Sequence, residues 1–559
     1  MLRLTVYTFI FIGILNSSYA KVSEFNYDAK NISRYFSGLI SFNDFNYQNS
    51  EKFFKKLDNF ERKSTKYSTK FIQSLINLGK YNEAYRYSKK IEKKNLSNFE
   101  SNLFLGLYEF KKENFKRAKY YFDKLDNNYQ HQLIFDILQK SLNVWLNITQ
   151  SKDRKFTQFI EGHHPAFNNL VLIQKTLAHC YFDSMDTELE FKKIIENKKT
   201  SFSRYNFFFA NYLVNNGRNQ EALNLIKIAS NNYPGNLLIN QFKQDLKNKE
   251  NTKIIFNCKN SAHILAEVFY IFANALSSQE DYRLSNFYIS LSKFLNPDFK
   301  SYNTLLAQNF ISLKKNIEAE KIFKKIIKIG EIYKWYSAKQ ISVIMEEKDI
   351  DSSKFLSKVY KEIEPSLYDT FDYANFFRGK EDYDKSIILY SELLTKIKKN
   401  HELYPKILER RGMSYERIDK WDLAEKDLLM SLDIRPKEPY VMNYLAYSWV
   451  EKNKNIKIAL EMLKEANKIK KHDGYITDSL GWALYKLKKF QEAKKYLELA
   501  IILMPNDPIV NDHFADCLWM NNYKIQARYY WKNVLNLKDA QDDLRNNVEK
   551  KLLMGLKSI

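Results

Sequence analysis

The residues that could carry out covalent or metal chemistry are few in this chain, and their spacing suits neither task. Eight histidines are scattered over 559 residues. His163 and His164 are adjacent, which on a helix turns their rings about 100° apart and makes them poor joint ligands. Asn511, Asp512 and His513 set a carboxylate beside an imidazole, the pairing that general acid–base catalysis uses. No HExxH, GxxxxGK[ST] or GxSxG run occurs, no GxGxxG follows a strand, and 13 glycines leave little from which to build a phosphate-cradling loop. Cys180, Cys258 and Cys517 form no CxxC pair, so a cysteine zinc site is not expected, and an odd number leaves at least one thiol unpaired. The expectation is no catalytic residue, no metal and no cofactor.

Composition points to the elements that must carry whatever chemistry remains. Only 13 glycines and 9 prolines stand against 39 tyrosines and 40 phenylalanines, which disfavours disorder and turn-dense β folds and favours long helices. The length demands several domains or one small unit used many times. The net charge of +23 is spread along the whole chain, which reads as compositional bias and not as the clustered footprint of a nucleic-acid binder. At the start, Arg3 precedes a largely apolar stretch from Leu4 to Leu15, with small residues Ser18 and Ala20 at the offsets of a cleavage site. Residues 1–20 are therefore expected to be a signal peptide cut after Ala20, their core being short for a membrane anchor. Such a chain works outside the cytosol.

A period of about 34 residues organises the rest. Gly474 to Asp507 reads GYITDSLGWALYKLKKFQEAKKYLELAIILMPND, with Gly481, Leu484, Phe490, Ala493, Leu497, Ala500 and Pro505 as its landmarks. One period on stand Ala515, Leu518, Ala527, Trp531 and Val534; two periods back stand Gly412, Tyr415, Trp421, Ala424, Leu428, Ser431 and Pro436. Between them Ala459, Leu463 and Ala466 keep step, while Leu445 and Ala446 come one residue early and imply a longer turn at Lys452 to Asn455. Upstream, the small residue that opens each second helix recurs at Ser386, Ser353, Ala319, Ser285, Ala222, Ala118, Ala84 and Ser50, with degenerate stretches near 125–205 and 235–262.

These offsets closely resemble the tetratricopeptide repeat family. The resemblance implies an all-α fold, a superhelix (α-solenoid) of about 12–15 stacked helical hairpins ending in a capping helix. Its divisions are a signal peptide at 1–20, a partly degenerate array over 21–255, a middle array over 256–400, a well-formed array over 401–541 and the cap over 542–559. Small residues such as Gly481, Ala493 and Ala500 let antiparallel helices approach, and Phe490 and Leu497 fill the holes. In the cap, Leu544, Val548, Leu552 and Leu556 form one stripe, with Asp543, Asn546, Lys550 and Lys557 on the far side. Stacking at a fixed pitch separates Cys180 from Cys258 by about two units, beyond the ~7 Å Cα reach of a disulfide. All three cysteines are then expected to be packing residues.

In the family, the first helices of successive hairpins line a concave face where extended peptides or helices lie. Carried onto this chain, that face implies a partner-binding set of Tyr475, Asp478, Trp482, Tyr485, Asp512, Asp516 and Trp519, joined by Lys486, Ile509 and Met520, by Tyr440, Asn443, Tyr447 and Glu451, and by Glu409, Met413 and Glu416; the other reading of Trp482 and Trp519 is core packing between adjacent first helices. Asp512 and His513 become ordinary helix positions. Aromatic anchors beside carboxylates suit a basic, apolar peptide or helix; nucleic acid and small-molecule substrates are not expected. The carboxylate-clamp subfamily wants Lys and Asn where Asp478, Trp482, Asp512 and Asp516 stand, so a terminal carboxylate is not the expected ligand. The runs NYLAYSWVEK, DGYITDSLGWALY, NDHFADCLW and ARYYWKNVL are similar to those of long exported tetratricopeptide proteins of alphaproteobacteria. That similarity implies a periplasmic scaffold in cell-envelope or secretion-related assembly, membrane-associated only through its partners. Two other readings stay open: a binder of anionic envelope polymer, and a helical-repeat RNA-processing scaffold, which a working signal peptide excludes.

Overall fold

The computed structural model describes residues 28–57, 60–125, 132–151, 168–197, 202–248 and 255–556. The signal peptide expected over 1–20, with its cut at Ala20, and the His163–His164 pair lie outside these residues. Among those described, the chain forms 29 α-helices and no strand, and none is long and apolar enough to cross a membrane.

The hairpins close where the sequence provides space for them. A Cβ placed on Gly38 would meet Phe54 at 2.4 Å, on Gly106 Phe122 at 2.3 Å, on Gly412 Leu428 at 3.1 Å and on Gly481 Leu497 at 2.6 Å. In each case the large residue follows the glycine by sixteen, so one first-helix gap receives one second-helix side chain. The small residues Ser50, Ala84, Ala118, Ala222, Ser285, Ala319 and Ser386 are fully buried at the second-helix positions expected for them. Residue 353 is the exception: Ser352 is buried there instead, its hydroxyl against that of Ser342 at 2.5 Å.

Each hairpin turns through one left-handed residue. Phe45, Gly79 and Glu113 stand 34 residues apart, as do Asp183 and Gly217; Asp419, Asn453, Lys488 and Asn522 follow one another at 34 or 35. The turn expected to be longer after Glu451 takes a second left-handed residue, Asn455, before the Ile456–Ile469 helix.

The helices divide into two compact units at Glu364/Pro365, inside the middle array expected over 256–400. In the first unit, packing is not confined to neighbours in sequence. The Thr65–Asn77 helix lies against the Tyr282–Leu295 helix, with the Ser290 hydroxyl donating to Asn77 Oδ1 at 3.0 Å and the Tyr81 hydroxyl to the Ser290 carbonyl at 3.1 Å. Arg283 Nη2 donates to the Asn43 carbonyl at 3.1 Å, and Phe294 is ringed by Tyr81, Phe104 and Tyr108. The early hairpins fold back on the later ones, and one hydrophobic core runs from Phe42 to Ile344. The Ser261–Ser278 helix is its spine, packing on the Phe99–Lys111, Gln132–Gln150 and Asn168–Tyr181 helices as well as on its own hairpin partner.

This arrangement corrects the expectation for the thiols. Cys180 and Cys258 are joined in a disulfide with Cα atoms 5.8 Å apart; only Cys517 is free, and it is buried. A fixed pitch assumed that the helices between the two carry the chain steadily onward. Instead, residues 255–257 run without helix alongside the Ser203–Asn215 helix, where Asn211 Nδ2 donates to the Phe256 carbonyl at 2.7 Å. Asn296 Nδ2 donates to the Ile255 carbonyl at 3.0 Å from the other side. Cys258 is thus returned to the end of the Asn168–Tyr181 helix, and Lys259 and Asp183 pair beside the bond at 3.0 Å.

In the second unit, five hairpins run in order: 367–396, 404–434, 439–469, 474–503 and 508–536. The Asp542–Met554 helix then closes the row, with Leu544, Leu552 and Leu556 packed on the core and Val548 fully buried.

Candidate functional site

The acidic and aromatic positions expected to meet a partner sit on the first helices of the second unit. The Gly474–Lys486 helix starts at Asp473, whose carboxylate accepts from the Ile476 amide; Asp507 does the same for Ile509 and Val510 at the head of the Pro508–Met520 helix. Each cap fixes the rotation of its helix, and so the direction of Asp478 and Trp482, or of Asp512, Asp516 and Trp519.

Five of the seven expected residues are turned inward. Asp478, Trp482, Tyr485, Asp512 and Asp516 retain at most 7% of their surface. Most of their polar atoms are engaged by neighbouring helices, while Asp478 Oδ1 is buried without a hydrogen-bond partner among the described residues. Trp482 Nε1 donates to Glu451 Oε1 at 2.5 Å, and the Tyr444 hydroxyl to Glu416 Oε2 at 2.8 Å. Asp478 Oδ2 lies 2.9 Å from His513 Nδ1, while the imidazole stacks on Trp482 with ring centres 3.8 Å apart. Lys551, on the terminal helix, reaches all four carboxylate oxygens of Asp512 and Asp516 at 2.7–2.8 Å. Trp531 Nε1 adds a bond to Asp516 Oδ1 at 2.9 Å.

Four consecutive junctions follow one rule: a carboxylate on one first helix is held by a donor on the next. The acidity of this face, expected to select a cationic partner, is spent between repeats. Asp512 and Asp516, expected to meet a basic, apolar helix of a partner, are held in this structure by Lys551 of the chain's own terminal helix. Lys551 is the residue that sequence reasoning missed, since it borders the apolar stripe and is one of two adjacent lysines. Only its partners, 35 and 39 residues upstream, distinguish it from Lys550.

The electrostatics are those of a sealed cluster. Burial works against a charge on His513, but Asp478, with Asp512 and Asp516 behind it, outweighs this and raises the ring's pKa. Burial, then the neighbouring Asp512 carboxylate, push Asp516 up to about 6 against the pull of Lys551 and Trp531. Burial opposes the Lys551 charge, and the two carboxylates more than restore it. His513 is buried, stacked on Trp482 and bonded through Nδ1 to Asp478, so its hydrogen-bonded carboxylate partner is Asp478 on the neighbouring first helix and not the adjacent Asp512. Among the described residues, no group of three His, Cys, Asp or Glu is placed to hold a metal.

What remains accessible is narrower. Trp519 is half-buried against Trp531, and Gly555 lies so close over its ring that a Cβ there would meet it at 2.2 Å. Tyr475 is 61% exposed, and it continues a row with Tyr440 at 52% and Ile509 at 49%, one from each of three successive first helices.

Fold and junctions together define a class: an all-α protein of stacked helical hairpins. Residues 478–507 match the tetratricopeptide repeat family. A TPR repeat-containing protein of Pseudomonas aeruginosa, PA4667, is 28% identical over 103 residues, 18% of this chain and 18% of that protein. Among solved structures, a chain of the APC/C hetero-tetramer Cut9–Hcn1 is similar over 95% of this chain and 91% of its own, at 14% identity and a TM-score of 0.34. TTC0263, a thermophilic TPR protein of Thermus thermophilus, is similar over 34% of this chain and all of its own, at 15% identity and a TM-score of 0.30. MamA of Desulfovibrio magneticus RS-1 is similar over 32% of this chain and 97% of its own, at 15% identity and a TM-score of 0.27.

Proposed function

We propose that this protein is an exported scaffold that holds other proteins in assemblies of the cell envelope or secretion apparatus, without a reaction of its own. The observation that carries the reading is the uncovered row Tyr440, Tyr475 and Ile509. Three large side chains recur at a pitch of one hairpin on a face whose other aromatics are buried or half-buried, and aromatic anchors of this kind supply most of the energy of protein interfaces. The Cys180–Cys258 bond supports export, since such bonds persist in oxidising compartments and are rare in the cytosol. It is in keeping with the signal-like residues 1–20.

A photo-crosslinking amino acid placed at Tyr475 in the native cell tests the docking face. Discrete protein adducts are expected there and not from Ile525, which is 84% exposed on a second helix. Equal adduct patterns at both positions would remove the basis of the reading.

A further inference from the structure

The first unit holds a half-open cavity of about 520 Å³, walled by the first helices of four hairpins at Ser203–Asn215, Ser261–Ser278, Tyr302–Ser312 and Glu331–Glu346. Its charge is internal. Arg204 donates through Nε and Nη2 to the two Glu267 oxygens at 2.7 and 2.9 Å. The Glu267 side chain is wholly sealed while that of Arg204 keeps 21% of its surface, so the pair shows the cavity its donor side. Nη1 is the guanidinium nitrogen left without a partner among the described residues. Tyr270 braces the guanidinium from 4.3 Å, and Phe299 from 5.0 Å.

No other lining residue is charged. An ionic ligand would therefore leave water for a site whose only two charges already neutralise each other, which is costly. Several polar side chains on the wall are also engaged: Gln308 Nε2 donates to the Tyr336 hydroxyl, Thr304 Oγ1 to the Ser301 carbonyl and Asn236 Nδ2 to Ser203 Oγ, which leaves the buried Tyr205 and Ser301 hydroxyls among the few open partners. A sugar would bring many hydroxyls to few open partners. Flat apolar surface, by contrast, is plentiful in Tyr205, Tyr270, Tyr333 and Tyr336, and burial holds Tyr270 and Tyr333 as neutral phenols.

We propose that this cavity is a docking pocket for an uncharged aromatic side chain of a partner polypeptide, with a carbonyl beside that ring accepting a hydrogen bond from Arg204 Nη1. The proposal rests on the scaffold reading and adds to it the chemistry of a second contact, in the other unit.

The test uses the full chain and blocked amino acids as probes, followed by saturation-transfer NMR. N-acetyl-tyrosinamide and N-acetyl-phenylalaninamide are expected to bind at least tenfold more tightly than the N-acetylated amides of glutamate and lysine, or than maltose. Asn274 is exposed on the rim, so Asn274→Trp fills the mouth without touching the core and should abolish binding; Thr304→Trp serves if that variant does not fold. Arg204→Lys keeps the charge opposite Glu267, loses the planar third nitrogen, and should weaken binding about tenfold. Maltose or a charged probe binding as well as the aromatic ones, or binding that survives the blocked mouth, overturns the proposal. Crosslinking at Tyr475 separates the two ideas: adducts there with no probe binding sink the pocket alone, and their absence sinks the scaffold reading on which the pocket depends.

Discussion

At the scale of single residues, the Asp512–Asp516–Lys551 cluster has a definite energetic signature. Two buried carboxylates share one ammonium, so removing the ammonium leaves two uncompensated charges. Lys551→Met is expected to lower the stability of the second unit by about 3–5 kcal/mol, whereas Asp512→Asn, Asp516→Asn and Lys551→Met together should cost much less. Tryptophan fluorescence during urea unfolding reads this directly, since Trp421, Trp449, Trp482, Trp519 and Trp531 are five of the seven tryptophans. The cluster also sets a pH dependence. Asp516 titrates near 6 in the fold, above an ordinary carboxylate, so the native state holds its proton more tightly; that contribution is complete below about pH 4 and is lost as pH rises through 6. His513, which faces Asp478, Asp512 and Asp516 and stacks on Trp482, is likewise raised: its contribution is complete below about 6.5 and is lost as pH rises through its higher folded value. Both groups act in one direction. The unfolding midpoint should fall between pH 5.5 and pH 8, and the combination of Asp516→Asn with His513→Gln should flatten that slope; a midpoint rising with pH would contradict it.

At the scale of the helical hairpin, the fit of one gap to one side chain is the determinant. Gly481 faces Leu497, whose Cγ stands 2.6 Å from where a Cβ would be. Gly481→Ala is expected to cost about 1–3 kcal/mol by overpacking, and Leu497→Ala about 2–5 kcal/mol by leaving a cavity. In the double variant the new methyl enters the new space, so the two losses should sum to more than the double variant shows, a coupling that a double-mutant cycle reads. This level of the structure was legible in the sequence. Gly412, Gly481, Ala493 and Leu497 announce themselves by type and spacing, and the capping stripe of Leu544, Val548, Leu552 and Leu556 packs as its period requires. The turns were less legible: among the left-handed residues that pace the hairpins, Gly79 and Gly217 advertise the conformation, while Phe45, Glu113, Lys314 and Lys488 adopt it at a cost of about 1 kcal/mol each that tertiary packing covers. The candidate site was half legible. Helical period places Asp478, Trp482 and Asp516 on one side of their helices, but whether that side meets solvent depends on donors in the next hairpin, which a window of one repeat does not contain.

At the scale of the whole molecule, contacts between residues far apart in sequence decide what a repeat period cannot. The Cys180–Cys258 bond spans 78 residues, and in the chain-entropy account closing a loop of that length destabilises the unfolded state by about 4.5 kcal/mol. The same loop contains the Ser203–Asn215 helix with Arg204, so the bond braces one wall of the aromatic cavity. Paired Cys180→Ser and Cys258→Ser changes should therefore lower the stability of the first unit by up to that amount. Backbone amides of the Ser203–Asn215 helix should exchange with deuterium earliest, because Phe256, which accepts from Asn211, is no longer tethered two residues away. Thiol counting makes the claim quantitative before any variant is built. Burial pushes the Cys517 thiol up to about 12, so the folded oxidised protein should show no reactive thiol; denatured without reductant it should show one, and denatured with reductant three. Three thiols in the unreduced, denatured protein purified from its native compartment would mean that the bond does not form there, and the support it lends to export would go with it.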